Sequence, residues 1–244
     1  MSQHKDHEKL YEGAHKGDTW TLPEDFDLNP RGRAVEMVRS QFEGPVAILD
    51  IGCGKAINTK WVADQNDGST WTGVDVVAKE KIGLKVEDDA THTFLEGDFT
   101  DPEFREKNKL VGEKFDIITD QGATFIELDD SQVEDYLKLA HSLLKEKGIF
   151  LVLTLLDKPQ VVIFADGRKR VIRSIEDFQR EPFSKYFEIE DAVKENPFAY
   201  AGHTYLPEGL YPGIKNPLPA KVGEELQLQV ASIPMKKKTT VPAK

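Results

Sequence analysis

The chain has 244 residues, a formal net charge of −11 and a single cysteine. That length suits one α/β domain with room for an inserted flap, and one cysteine excludes an intramolecular disulfide framework. The opening MSQHKDHEKL is charged, no run approaches the roughly 18 apolar residues of a membrane span, and the acidic balance argues against nucleic acid, so a soluble, cytoplasmic protein is expected.

Residues 1–28 carry little periodicity and read as an N-terminal arm, with Gly17-Asp18-Thr19-Trp20 within it. Asn29 and Pro30 then suit the start of a helix through about Phe42, whose Ala34, Val35 and Val38 share one apolar face. Val46 to Asp50 predicts a strand, followed by a glycine turn, a helix to about Gln65, a turn at Asn66-Asp67-Gly68 and a second strand, Thr70 to Asp75. Thr93 to Leu95 predicts a third strand ending in Glu96-Gly97-Asp98-Phe99, after which Thr100 caps a helix.

Phe115 to Thr119 reads as a buried strand running into Asp120-Gln121-Gly122-Ala123. A helix from Ser131 turns Val133, Tyr136, Leu137, Ala140, Leu143 and Leu144 inward and stops at Lys147-Gly148. Ile149 to Leu155 is almost wholly apolar, as a central strand covered on both faces must be. Beyond Asp157, Ser174 caps a short helix containing Phe178, and Tyr186 to Ala192 and Glu225 to Ile233 read as strands. The Pro-, Gly- and Tyr-rich stretch 196–222 between them reads as an ordered flap, and Lys236-Lys237-Lys238 opens a basic, frayed tail over residues 236–244. The alternation predicts a single α/β domain with a doubly wound, mostly parallel sheet.

Strand, glycine turn, helix and acid-ended strand form a nucleoside-binding layout. Gly52 and Gly54 can take positive φ, the next helix opens with unpaired N–H groups, and Asp75 can accept from both ribose hydroxyls. A dinucleotide fingerprint needs a third small residue at position 57, which is Ile57. The alternative Asp-x-Gly-x-Gly with a small residue two further on is met by Asp50, Gly52, Gly54 and Ala56. Cys53, inside the turn, reads as structural.

This loop, Asp75, Gly97-Asp98-Phe99, Asp120-Gln121-Gly122-Ala123 and Leu144-Lys145-Glu146-Lys147-Gly148 occur in an order and spacing that resembles the class I, seven-stranded methyltransferases. The arm and Asp120-x-Gly122-Ala123 are similar to the thiopurine-type branch, and less so to protein-lysine methyltransferases. The resemblance covers about residues 29–156 and implies a Rossmann-like seven-stranded sheet, with the two C-terminal strands as its antiparallel sixth and seventh, and S-adenosylmethionine as cofactor. It implies cofactor contacts from Asp50, Gly52, Cys53, Gly54, Asp75, Val76, Asp98, Phe99, Gln121 and Trp20. No metal is implied.

Methyl transfer from a sulfonium is an in-line displacement that alignment and exclusion of water can carry without a strong base. Asp120 is the candidate catalytic carboxylate, steadying the cofactor's cationic end or orienting a nucleophile; the opposing reading is a cap for its own turn. Gln121 stands where the branch commonly has a basic residue, Trp20 is either a surface anchor or a lid, and His203 is a loop histidine that could act as a base. The expected partner is a small molecule attacking through S, N or O; a protein lysine and a non-catalytic binding module are the alternatives.

Overall fold

The computed structural model describes residues 30–239 apart from 85, 87, 113, 157–159, 164–168, 195–197 and 201–225. Helix α1 (Pro30–Arg39) leads into β1 (Ala47–Ile51), α2 (Ile57–Asp64), β2 (Thr70–Asp75), α3 (Lys79–Ile82), β3 (His92–Glu96), α4 (Pro102–Lys107) and β4 (Phe115–Asp120). A 3-10 turn (Phe125–Glu127), α5 (Asp130–Leu143) and β5 (Leu144–Leu156) follow. The remainder is β6 (Gln160–Ile163), β7 (Lys169–Arg173), α6 (Ile175–Phe178), α7 (Phe183–Tyr186), β8 (Phe187–Ile189), β9 (Val193–Lys194), β10 (Phe198–Tyr200) and β11 (Leu226–Lys237).

Among the described residues one sheet of eleven strands runs β10-β11-β5-β4-β1-β2-β3 along its main path. Strands β1 to β5 are parallel, and β11 runs against β5 from Gln229↔Leu156 to Lys236↔Ile149. Strands β8, β9 and β10 each pair antiparallel with β11, so they run with β5 while β11 opposes the core; the expected sixth strand is not itself reversed against the sheet. The unforeseen β6–β7 hairpin adds to the edge of β5 through Leu155↔Ile172 and Leu156↔Arg173.

Successive side chains of a strand point to opposite faces, and the apolar runs feed a layer on each side. Ile48, Ile117, Ile149 and Leu151 pack with Ala34, Val35 and Val38 of α1 and Val62 of α2. Leu49, Ile118, Phe150 and Val152 pack with Val133, Leu137 and Ala140 of α5 and with Phe178 and Phe183. Both faces being covered explains why β4 and β5 lack polar alternation.

Four local expectations change. Asp101, not Thr100, caps α4, because its side chain accepts from the Glu103 N–H. Asp129 caps α5 two residues before Ser131, in a capping box with Gln132. That helix stops at Leu143, since Leu144 is extended and starts β5, while Lys147 rather than Gly148 takes the left-handed conformation, φ 64°. Lys236 and Lys237 are the last residues of β11 rather than a frayed tail, and the Lys238 amide donates to the Tyr186 carbonyl. The arm, with Trp20, and the flap outside Phe198–Tyr200, with His203, lie outside the described residues.

Candidate cofactor and active site

Strands β1, β2 and β4 end side by side, with Ile51 opposite both Val74 and Asp120, so the loops that follow them meet at one edge of the sheet. Open α/β sheets bind ligands at this carboxyl edge. The loop after β1 is held by the amides of Gly52 and Cys53, which both donate to the Val74 carbonyl at 2.8 and 3.1 Å. Gly52 sits at φ 64°, and a Cβ there would lie 2.0 Å from that of Ala123. Glycine is therefore demanded twice, by the left-handed turn and by the approach of the post-β4 loop.

Ala56 caps α2 in the left-handed conformation, φ 52° and ψ 27°, with no side-chain hydrogen bond. The resemblance puts glycine here, and alanine adopts the same backbone at a cost of roughly 1–2 kcal/mol. The first turn of α2 opens onto the loop, where N–H groups have no partner within the helix.

Asp75 is almost wholly buried. Its Oδ2 accepts from the Gly54 N–H at 2.9 Å and its Oδ1 from the Val77 N–H at 3.0 Å, so the β2 carboxylate also shapes the glycine loop. Asp98 is half-buried; its Oδ1 accepts from the amide and hydroxyl of Thr100, the loop-stabilising role. Phe99 is a core residue, edge-on to Tyr136 at 6.2 Å, which leaves its backbone rather than its ring for a ligand. Val76 is partly exposed beside Asp75, and half-buried Gln121 accepts at Oε1 from the Asn58 Nδ2 at 3.3 Å, joining the post-β4 loop to the first turn of α2.

Asp50 lies beneath the loop, fully enclosed. Its Oδ1 accepts from the Thr119 hydroxyl at 2.8 Å and its Oδ2 from the Thr59 hydroxyl, which in turn accepts from the Trp71 indole N–H at 3.1 Å. Burial raises its carboxyl to about 6, against the lowering effect of the two hydroxyls, and Asp120 and Asp75 raise it further. Gly73 makes room for this arrangement: a Cβ there would lie 2.2 Å from the Trp71 ring and 2.8 Å from the Cys53 sulfur. Cys53 is buried, with its thiol pushed well up by burial, then by Asp50 and Asp75, so it packs rather than reacts.

Asp120, the candidate catalytic carboxylate, lies inside its own turn. The residue has no exposed surface; Oδ1 accepts from the Ala123 N–H at 3.0 Å, and Oδ2 accepts from the Phe125 N–H and the Tyr136 hydroxyl, each at 2.7 Å. Burial raises its carboxyl, opposed by these donors, and the phenol of Tyr136 is pushed well up in turn, by burial and then by Asp120. A carboxylate so enclosed caps its turn.

The outer side of that turn is tied to β7. Arg170 pairs with Glu127, and Arg173 donates to the Leu128 carbonyl at 2.7 Å while its guanidinium lies 5.1 Å from the centre of the Phe125 ring. These arginines and Thr59 are not among the residues that the sequence singles out, and Thr119 and Tyr136 are placed by it in a buried strand and an inward helix face without their bonds to Asp50 and Asp120. Only Thr59 carried a signal, a hydroxyl in the helix just beyond an inward-facing strand-end acid.

Residues 48–148 match a family described as a methyltransferase domain. Among solved structures, the chain is similar to the 1,6-didemethyltoxoflavin-N1-methyltransferase of Burkholderia thailandensis, with a TM-score of 0.61 and 17% identity over 96% of this chain and 86% of that one. It is similar to an S-adenosylmethionine-dependent methyltransferase of Anabaena variabilis, at 0.59 and 16% over 98% and 96%. It is also similar to the N-methyltransferase NodS of Bradyrhizobium japonicum, at 0.55 and 13% over 95% and 98%. No curated protein matches the chain in sequence. With the glycine loop and its acid-ended neighbour strand, these likenesses show a Rossmann-like methyltransferase fold, within which residues 48–148 match a methyltransferase domain.

Proposed function

We propose that the protein is a cytoplasmic enzyme, one domain over its whole length, that moves the methyl group of S-adenosylmethionine onto a small molecule attacking through S, N or O. The observation that carries this is the Gly54–Asp75 hydrogen bond, which couples the glycine loop to the strand-end acid at the carboxyl edge. Asp75 would accept from the ribose hydroxyls, the Asp98 Oδ2 and the backbone of Phe99 would take the adenine, and Gly52, Gly54 and Val76 would form the walls between. The cofactor supplies an activated methyl on a sulfonium. Asp50, Asp75 and Asp98 place negative charge around that cation, and Asp120 and Asp50 act as positioning residues that fix the loops.

Gln121, at the mouth, supplies a neutral donor and acceptor toward the acceptor side. The arm, with Trp20, and the flap would close the site and exclude water. The small-molecule reading draws support from the Burkholderia enzyme, whose structure carries 1,6-didemethyltoxoflavin and S-adenosylhomocysteine. The thiopurine-type branch is favoured by Asp120-x-Gly122-Ala123 together with Gly17-Asp18-Thr19-Trp20. A protein-lysine acceptor is the second reading, favoured by the acidic surface, which would recruit basic segments. Nucleic acid is disfavoured by the same charge.

Incubation with methyl-labelled cofactor and separate small-molecule and protein fractions of a cell extract tests the proposal. Label in the small-molecule fraction alone is expected. Label in protein would favour the lysine reading, and cofactor binding with label in neither would favour a binding module.

A further inference from the structure

At the edge of the sheet opposite the cofactor loops, the last residues of β11 and the first of β5 meet α7 and β8 around a groove of about 430 Å³. Five of its lining residues are lysines, Lys147, Lys185, Lys236, Lys237 and Lys238, against one acid, Glu188. In a chain with 43 acidic and 32 basic residues, such a concentration runs against the overall charge.

The groove is built rather than frayed. Lys238 is fixed at both ends of its peptide unit: its amide donates to the Tyr186 carbonyl at 3.0 Å, and its carbonyl accepts from the His141 ring at 2.9 Å. Its ammonium donates to the Ser184 carbonyl at 2.5 Å. Lys237 is only 8% exposed, and its ammonium donates to the Leu144 carbonyl at 2.6 Å. Keeping an ammonium in such a wall costs desolvation that an apolar residue would avoid. Lys185 is neutralised by Glu134 at 2.5 Å and contributes shape more than charge.

Lys147 and Lys236 supply the charges that face a ligand. Lys147 is exposed on a left-handed turn at φ 64°, and Lys236 lies across the strand pair from Glu188. Among the described residues neither ammonium meets a carboxylate or carbonyl. Among those residues, too, no aromatic side chain lines the groove, so it has nothing on which a base could stack. Its volume falls at the low end of small-ligand sites.

We propose that this groove is a second ligand site, separate from the methyl-transfer site, that binds a compact polyanion carrying two or more phosphate groups by its charges alone. A nucleoside polyphosphate and an inorganic one share this chemistry, and the absence of a stacking surface predicts that both bind alike.

Calorimetric titration of the full chain with inorganic tripolyphosphate, and separately with ATP, tests this at low and at physiological salt. The expected result is one site, similar affinity for the two, at least tenfold weakening in the higher salt, and unchanged affinity when the protein is saturated with S-adenosylhomocysteine. The double variant Lys147→Glu, Lys236→Glu is expected to lose at least tenfold. A control double variant, Lys107→Glu, Lys138→Glu, makes the same change of net charge on α4 and α5 and is expected to lose less than threefold. No heat with the parent chain, equal loss in both double variants, or displacement by S-adenosylhomocysteine would overturn the proposal. ATP binding far tighter than tripolyphosphate would overturn recognition by charge alone. Failure of S-adenosylhomocysteine to bind at all would count against the methyltransferase reading and leave this result legible by itself.

Discussion

Replacing Asp50 with Asn should change how stability depends on pH. The parent carboxyl titrates near 6 in the folded chain and near 3.8 when unfolded. Between these values the folded state holds a proton that the unfolded state has released, so stability falls as pH rises through the interval. The full difference is about 3 kcal/mol, and roughly 2 kcal/mol of it falls between about pH 4.5 and 7.5. The amide of the Asp50→Asn variant cannot titrate, although it trades an acceptor for a donor against Thr59 and so loses part of one hydrogen bond, about 1 kcal/mol, at every pH. Urea unfolding of both proteins across this range gives the test. The stability of the parent relative to the variant should fall by about 2 kcal/mol toward pH 7.5. A difference that stays flat, or one that grows in favour of the parent as pH rises, would refute the assignment of the network beneath the glycine loop. The burial of Asp120 acts alike in both proteins, and only its coupling to Asp50 differs between them.

Gly52→Ala should cost about 2–4 kcal/mol in a urea melt, because a left-handed alanine and a methyl 2.0 Å from the Ala123 Cβ add their penalties. Ala56→Gly should leave stability unchanged or raised by up to about 1 kcal/mol, whereas Ala63→Gly, within α2, should lose about 1 kcal/mol; equal losses would show that the turn at Ala56 carries no strain. Tyr136→Phe removes a hydroxyl donor from the enclosed Asp120 and should cost about 1–3 kcal/mol, read as a lowered urea midpoint with an unchanged slope; a neutral result would contradict its role in holding that carboxylate.

The chain as far as β5 was readable because its signals are local. A nearly apolar run such as Ile149 to Leu155 marks a strand covered on both faces, and a strand meeting Gly52 and Gly54 marks a turn that few other residues can make. Caps were displaced by a residue or two because several hydroxyls and carboxylates adjoin each helix start, and only their geometry chooses among them: Asp101 reaches Glu103, while Thr100 instead donates to Asp98. The role of Asp120 was not readable, since a strand-end carboxylate facing a ligand and one folded under its own turn have the same sequence. The donors that surround it, from Ala123, Phe125 and Tyr136, come partly from a helix sixteen positions away. The β6–β7 hairpin did have a signal, Asp166-Gly167 between two β-branched runs, but the runs are short and adjoin charged residues. Lys236 and Lys237 read as a tail by composition alone, whereas pairing with β5 and β8 holds them in a strand.

In the proposed function Asp75 and the glycine loop form an adenosine site. Titration calorimetry with S-adenosylhomocysteine tests it most directly, on the parent chain and on Asp75→Ala and Asp98→Ala. The expected result is micromolar binding to the parent, a loss of at least about 30-fold in Asp75→Ala, because a charged acceptor of two hydroxyls is removed, and a smaller loss in Asp98→Ala. Unchanged affinity in a folded Asp75→Ala variant, or preference of the parent chain for NAD, would contradict it.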